Sequence, residues 1–243
     1  MARIAYDGRD AAAFEASRHL SDHGLAAWRA AVDRHLSPGP CTRLLDLGAG
    51  TGMWAGAFTT WYPGMEVIAV DPSAAMRARC SHPNVLAGDA ADIPLADAHV
   101  DAVWVSTVIH HVPDLAAAAR EVRRVLRPGG RVLIRSAFAG RHEAISLFRY
   151  FPEAVRVLDT FPSVADVEAA FATVGMATVS FEPVPQVTSP SLRELAAGLR
   201  REAHTPLQLI TDDDYAAGLA RLHRAVEVAE APVIDALDLL VLR

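Results

Sequence analysis

The chain has 243 residues, 51% of them hydrophobic and 21% charged, with a formal net charge of −6. It is long enough to bury a sizeable core, yet has no apolar run near the 18 residues that would suggest a membrane span. Its basic residues are all arginine and are interspersed, with Arg120, Arg123, Arg124 and Arg127 along one predicted helix, so it lacks the basic, aromatic-laced stripe of a nucleic-acid binder. A small-molecule partner is expected instead. The stretch Met1–Asp7 has no signal-peptide core. Cys41 and Cys80 show neither a disulfide framework nor metal spacing, and read as reduced thiols of a cytoplasmic, metal-free protein.

Residues 7–36 predict helix, apolar at Phe14, Leu20, Leu25, Trp28 and Val32. Ser37-Pro38-Gly39-Pro40 breaks the chain before the first strand. From 42 to 136 strand-like and helix-like segments alternate, which implies parallel strands with right-handed crossovers. Leu44-Leu45-Asp46-Leu47 is a buried strand that runs into Gly48-Ala49-Gly50-Thr51-Gly52, where the backbone turns tightly. A second strand, Met65–Val70, ends in Asp71, about 20 residues past the glycines, where an acid in a doubly wound fold meets a ribose diol. Pro72-Ser73 opens a helix, with Ser73 as N-cap. Strands follow at Asn84–Ala87, leading to Gly88-Asp89-Ala90, and at Val100–Val105, leading to Ser106 and His110-His111. Leu126-Arg127-Pro128-Gly129-Gly130 ends a helix and turns into a fifth strand, Arg131–Ile134. Ligands of such sheets sit at the carboxyl ends of the strands, so Gly48, Asp71, Asp89 and Ser106 converge on one crevice.

Beyond the fifth strand, Ala137–Glu153 is an aromatic and basic connection with Phe138, Arg141, His142, Phe148, Arg149, Tyr150 and Phe151. Pro162-Ser163 starts a helix that Gly175 ends. Met176–Val184 predicts a sixth strand and Val233–Leu242 a last one, with helices at Ser191–Ala203 and Asp212–Glu230 between them. That interval is either a cap over the crevice or a helical pair that extends the fold or forms a dimer contact.

The G-x-G-x-G spacing with an acid two residues upstream, and the four segments that follow in register, resemble the class I S-adenosylmethionine-dependent methyltransferases. The likeness is to their small-molecule branch, the type 11 and quinone C-methyltransferase-like enzymes, and covers residues 40–137 well. A dinucleotide-binding oxidoreductase would space its glycines G-x-G-x-x-G. The resemblance implies an α/β fold, a doubly wound, Rossmann-like, seven-stranded and mostly parallel sheet with helices on both faces. It implies a helical leader or cap over 1–40 and a methyltransferase domain over 41–243. That domain has its core at 42–136 and an acceptor-cap insertion at 186–231.

The implied cofactor is S-adenosylmethionine, and the implied partner a small, partly aromatic or apolar acceptor in specialised metabolism. A monomer or homodimer is expected, and a non-catalytic S-adenosylmethionine-binding scaffold is the alternative. The implied anchors are Asp46, Gly48, Gly50 and Gly52 for the methionine end, Asp71 for the ribose, Asp89 with Ala90 for the adenine, and Ser106 beside the sulfonium. Asp46 could instead cap the turn, and Asp71 the next helix. His110 and His111 are candidate bases, since an imidazole titrates near neutrality, or else pocket-shaping residues; His142 and Glu143 rank after them. Tyr6, Phe14, Arg18 and His19 of the leader, with Phe138, Arg141 and Phe148, are candidates to meet the acceptor, or are ordinary packing and solvent-facing groups.

Overall fold

The computed structural model describes residues 8, 11–13, 20, 22–226 and 231–243. Tyr6, Phe14, Arg18 and His19 lie outside these. The seven strands are β1 (Arg43–Leu47), β2 (Glu66–Asp71), β3 (Leu86–Ala87), β4 (Val100–Ser106), β5 (Leu126–Ser136), β6 (Thr178–Ser189) and β7 (Val233–Leu242). They form one sheet in the order β3-β2-β1-β4-β5-β7-β6, parallel but for β7, which runs antiparallel to both neighbours. This is the doubly wound α/β sheet expected from the alternating pattern.

Side-chain alternation along the strands divides the core into two layers. On one face Leu44, Ala102, Trp104, Leu133, Leu239 and Val241 pack against α1 (Asp22–Leu36) and α2 (Met53–Trp61) through Trp28, Val32, Trp54 and Phe58. On the other, Leu45, Leu47, Val103, Val105, Val132, Ile134 and Leu240 meet α4 (Leu115–Val125) and α7 (Val164–Ala172). Between α2 and α4 lies a short α3 (Ala74–Arg77), capped by Ser73 as its sequence predicts. The helix α7 starts with a full capping box, Ser163 and Asp166 each bonding the other's backbone N–H.

Several boundaries differ from expectation for identifiable reasons. The third strand shrinks to two residues because Asn84 takes a left-handed φ of 61° just before it. The Pro128-Gly129-Gly130 turn bulges out of β5, whose register on β4 jumps from Leu126 to Arg131. The sixth strand runs on to Ser189, through Pro183 and Pro185, so the first four residues assigned to an insertion at 186–231 belong to the sheet. An edge strand tolerates proline because the missing N–H faces no neighbour.

The connection after β5 folds into α5 (Ser146–Tyr150) and α6 (Val155–Leu158). The interval between β6 and β7 holds α8 (Leu192–Gly198), α9 (Thr205–Gln208) and α10 (Asp212–Val226). These two segments share one hydrophobic cluster: Phe148, Phe151, Leu158 and Phe161 from the first pack with Leu192, Leu207, Ile210 and Leu222 from the second. Contact is so close at Gly218 that a Cβ there would stand 2.0 Å from Phe151 Cδ1. Arg221 ties α10 back to the Tyr150 carbonyl (2.7 Å) and to Glu153 (2.5 Å), and Arg156 pairs with Asp214. The two segments therefore form one packed unit beside the carboxyl edge of the sheet, called the cap for its place over the cavity there.

Candidate active site

Strand register sets the floor of the site. Leu47 pairs with Val70 on one side and Val105 on the other, and Ser106 pairs with Arg135. Asp71, Gly48, Ser106 and Arg135 thus stand in one row at the carboxyl edge. Asp71 pairs with Ala87, which puts Asp89 two residues past the same edge.

The turn after β1 is held by backbone. Gly48 and Ala49 donate to the Val70 carbonyl at 2.8 and 3.0 Å, and Gly48, Gly50 and Gly52 all have positive φ (77°, 56° and 86°). At Gly48 a Cβ would lie 2.4 Å from Val108 Cγ2, so no side chain fits. Asp71 accepts from the Gly50 N–H and the Ser73 N–H, both at 2.8 Å, and so ties the glycine turn to α3. Burial raises its pKa, while those two N–H groups and Arg77 pull it down.

Asp46 lies beneath this turn, 1% exposed, with Oδ2 buried and unpartnered. Burial pushes its carboxyl up to about 7, against a lowering bond from the Ala55 N–H and a further rise from the Asp71 charge. A buried carboxylate oxygen without a donor beside a turn that excludes side chains fits the ammonium of a bound amino-acid moiety. The residues present therefore suit S-adenosylmethionine. Asp89 is exposed and accepts from the Ala91 N–H (2.7 Å); Ala90 is half-buried against the core.

A cavity of about 520 Å³ runs from Gly48–Thr51 to the underside of the cap. Ser106, Thr107, His110, Arg135, Phe148 and Phe161 are among its walls, with Gln186, Thr188, Asp235 and Leu237 from the far side of the sheet. Thr107 holds φ at 55°, costly for a β-branched residue, and is fixed by its N–H to the Arg135 carbonyl (2.8 Å) and its hydroxyl to the Ser106 carbonyl (2.7 Å). Arg135, 5% exposed, sits over the rings of Trp28 and Trp54 at 4.8 and 5.2 Å. It donates to Ser106 Oγ at 3.1 Å and to Gln186 Oε1 at 2.9 Å. Trp28 Nε1 donates to the same Gln186 oxygen at 2.7 Å, which anchors α1 to the site.

The two histidines part company here. His110 is buried in the wall, stacked on Phe161 with centroids 4.1 Å apart and rings 5° from parallel. His111 is half-buried behind it, ring to ring at 4.0 Å, and is not a wall residue. Phe148 faces the cavity, but Phe138 and Arg141 do not. Phe138 is fully buried in the layer under α7, and Arg141 makes a two-pronged pair with Asp238 (2.5 and 2.9 Å) over the Phe181 ring. The acceptor roles expected of those two are taken by core packing and by an ion pair. His142 lies edge-on to Phe148, with ring centroids 6.2 Å apart, and is not in the wall either.

Arg135, Gln186, Thr107 and Asp235 were missed from the sequence. A charged residue closing an apolar strand run, as in Val132-Leu133-Ile134-Arg135, is the signal that could have found one of them.

Sheet order, glycine turn and carboxyl-edge acids define a doubly wound, Rossmann-like α/β domain whose site suits S-adenosylmethionine. Residues 45–134 match the methyltransferase-domain family. Among curated relatives, the chain is 34% identical over 131 residues to the demethylmenaquinone methyltransferase of Roseiflexus sp. (strain RS-1), covering 51% of this chain and 55% of that one. It is 39% identical over 106 residues to the malonyl-(acyl-carrier protein) O-methyltransferase of Methylococcus capsulatus, covering 41% and 38%. The chain spans about half the length, or less, of these curated relatives. In fold it is similar over 91% of its length to an Anabaena variabilis protein described as a methyltransferase of an antibiotic biosynthesis pathway. That match covers 99% of the other chain, with a TM-score of 0.72 and 20% identity.

Proposed function

We propose that the chain moves the methyl group of S-adenosylmethionine to an O, N or C atom of a small, apolar or aromatic acceptor lodged under the cap. The observation that carries this reading is the continuity of one cavity from the Gly48–Thr51 turn to the cap, which offers cofactor and acceptor a common chamber. A non-catalytic binder would have that space filled by side chains. The curated relatives act on unlike acceptors by their names, a demethylmenaquinone and a malonyl-(acyl-carrier protein), so the cap rather than the cradle is where this chain's acceptor is chosen.

S-adenosylmethionine supplies a methyl group already activated on a sulfonium. The chain's part is to hold and align. Asp46 faces the ammonium, and Gly48, Gly50 and Gly52 give the methionine moiety close approach to backbone. Asp71 accepts from the ribose through lone pairs that Gly50 and Ser73 leave open, Asp89 accepts from the adenine amino group beside Ala90, and Ser106 borders the sulfonium. His110 is the wall residue placed to take a proton from the acceptor, with Phe161 fixing its ring plane. Alignment of this kind supplies effective molarities on the order of 10⁵ M. The reading includes a cytoplasmic monomer or homodimer working in specialised metabolism; among the described residues no helix is long and apolar enough to cross a membrane.

Thermal-shift titration with S-adenosylmethionine, S-adenosylhomocysteine, NAD and NADP tests it. Saturation at 100 times the dissociation constant stabilises by about 2.7 kcal/mol, a rise of several degrees. A shift with the two sulfur nucleosides alone is expected. A shift with a nicotinamide nucleotide, or with none of the four, overturns the reading.

A further inference from the structure

Asp235 stands apart among the charged groups of the cavity. It is 8% exposed, lines the wall, and is held by the Ser146 N–H on Oδ1 at 2.7 Å and the Thr188 hydroxyl on Oδ2 at 3.2 Å. Thr188 has a single proton, and the Val233 carbonyl competes for it at 3.3 Å. Among the described residues, no arginine or histidine forms an ion pair with Asp235. The nearby and equally buried Asp238 shows the contrast, since Arg141 neutralises it. A buried carboxylate is costly unless a cation or further donors meet it, and here the open side is the cavity.

Register places this carboxylate far from the reacting end. Ser106, Arg135 and Leu239 share one row across β4, β5 and β7, and Asp235 lies four residues further out along β7. At ~3.3 Å per residue that is about 13 Å past the row, toward the cap. Between the two ends the wall has an apolar side of Ile145, Leu147, Phe148, Phe161 and Leu195, opposed by Gln186, which pairs with Asp235 across β6 and β7 and accepts from Arg135. The other ionisable wall residues are Arg135, His110, Glu194 and His204. Arg135 belongs to the reacting end and repels an ammonium from it. Glu194 is exposed at the rim.

We propose that Asp235 is the specificity residue for an acceptor that carries a protonated amine at one end of an apolar body, the amine seated on Asp235 and the methyl-receiving group at the Ser106 end. The inference rests on the cavity being the acceptor site of a methyltransferase. It adds what that reading leaves open, the charge of the acceptor and which way round it sits.

Calorimetric titration of the full chain, saturated with S-adenosylhomocysteine, tests this with ω-phenylalkylamines of two to six methylenes and the matching neutral alcohols. The expected result is that the best amine binds at least tenfold tighter than its alcohol. Asp235→Asn should bring the two within about twofold while S-adenosylhomocysteine affinity holds, and Glu194→Gln should leave the preference intact. Equal binding of amine and alcohol, binding of neither across the series, or a preference that survives Asp235→Asn or is lost in Glu194→Gln overturns the proposal. The wild-type comparison decides by itself if Asp235→Asn does not fold. Failure of S-adenosylhomocysteine to bind overturns the methyltransferase reading instead, and the amine preference is then measured on the chain without nucleoside.

Discussion

The cradle at Gly48–Thr51 is made of backbone and is closed by acids within 25 residues of the turn, whereas the cap gathers side chains from two segments separated by α7 and β6. In the cradle, Asp71 has both oxygens met by the N–H groups of Gly50 and Ser73, while Asp46 takes the Ala55 N–H and keeps Oδ2 open. In the cap, Phe148, Phe151 and Phe161 meet Leu192, Leu207 and Leu222. A site made of backbone tolerates almost no change and binds one ligand. A site made of side chains on a separate cluster can be altered while the sheet stays folded, which suits it to choosing an acceptor.

The comparison breaks most severely at Gly48. A left-handed residue there costs ~1–2 kcal/mol and overpacking against Val108 ~1–3 kcal/mol. Gly48→Ala is thus expected to lose about 3 kcal/mol in denaturant unfolding and its affinity for S-adenosylhomocysteine in calorimetry. At the junction of the two regions, His110→Ala should lower turnover about 10²-fold, with recovery at high pH for an ionisable acceptor. His111→Ala, one shell behind, should leave turnover nearly unchanged. Loss of stability in His110→Ala without a pH effect would assign that ring to packing on Phe161.

Within the cap, Gly218→Ala presses a methyl group into the Phe151 ring. It should cost ~1–3 kcal/mol, seen as faster hydrogen exchange in 146–158 and 192–226. S-adenosylhomocysteine affinity should stay within about twofold, and a larger loss would mean that the two regions are not separable.

A pH dependence sharpens the cradle. Burial lifts the Asp46 carboxyl from 3.8 to about 7. Between those values the folded chain keeps a proton that the unfolded chain has released, so stability falls as pH rises through that window and levels off above it. Asp46→Asn should flatten that slope. A bound ammonium favours the carboxylate, so S-adenosylmethionine affinity should rise with pH toward about 7, with proton release visible as a buffer-dependent binding enthalpy. The Asn variant should show neither.

Most of the cradle was legible from residues close in sequence. The period-two glycines, the acid that ends β2 and the N-cap at Ser73 are local rules, and they put Gly48, Asp71, Asp89 and Ser106 at one carboxyl edge. The acceptor side was far less so. Phe138 and Arg141 fall in the same aromatic, basic stretch as Phe148, yet only Phe148 reaches the cavity. Which way each side chain points depends on what packs over it: α7 over Phe138, Asp238 and Phe181 around Arg141.

The sequence by itself determined the alternation of strands and helices, the glycine turn and the carboxyl-edge acids, because each follows from backbone geometry over a few residues. Tertiary structure alone decided that 146–161 and 192–226 make one cap and that β6 continues through two prolines at the sheet's edge. It alone brought Arg135, Gln186 and Asp235 to the cavity with Ser106. Those outcomes depend on strand order and on contacts between segments dozens of residues apart, which no local pattern encodes.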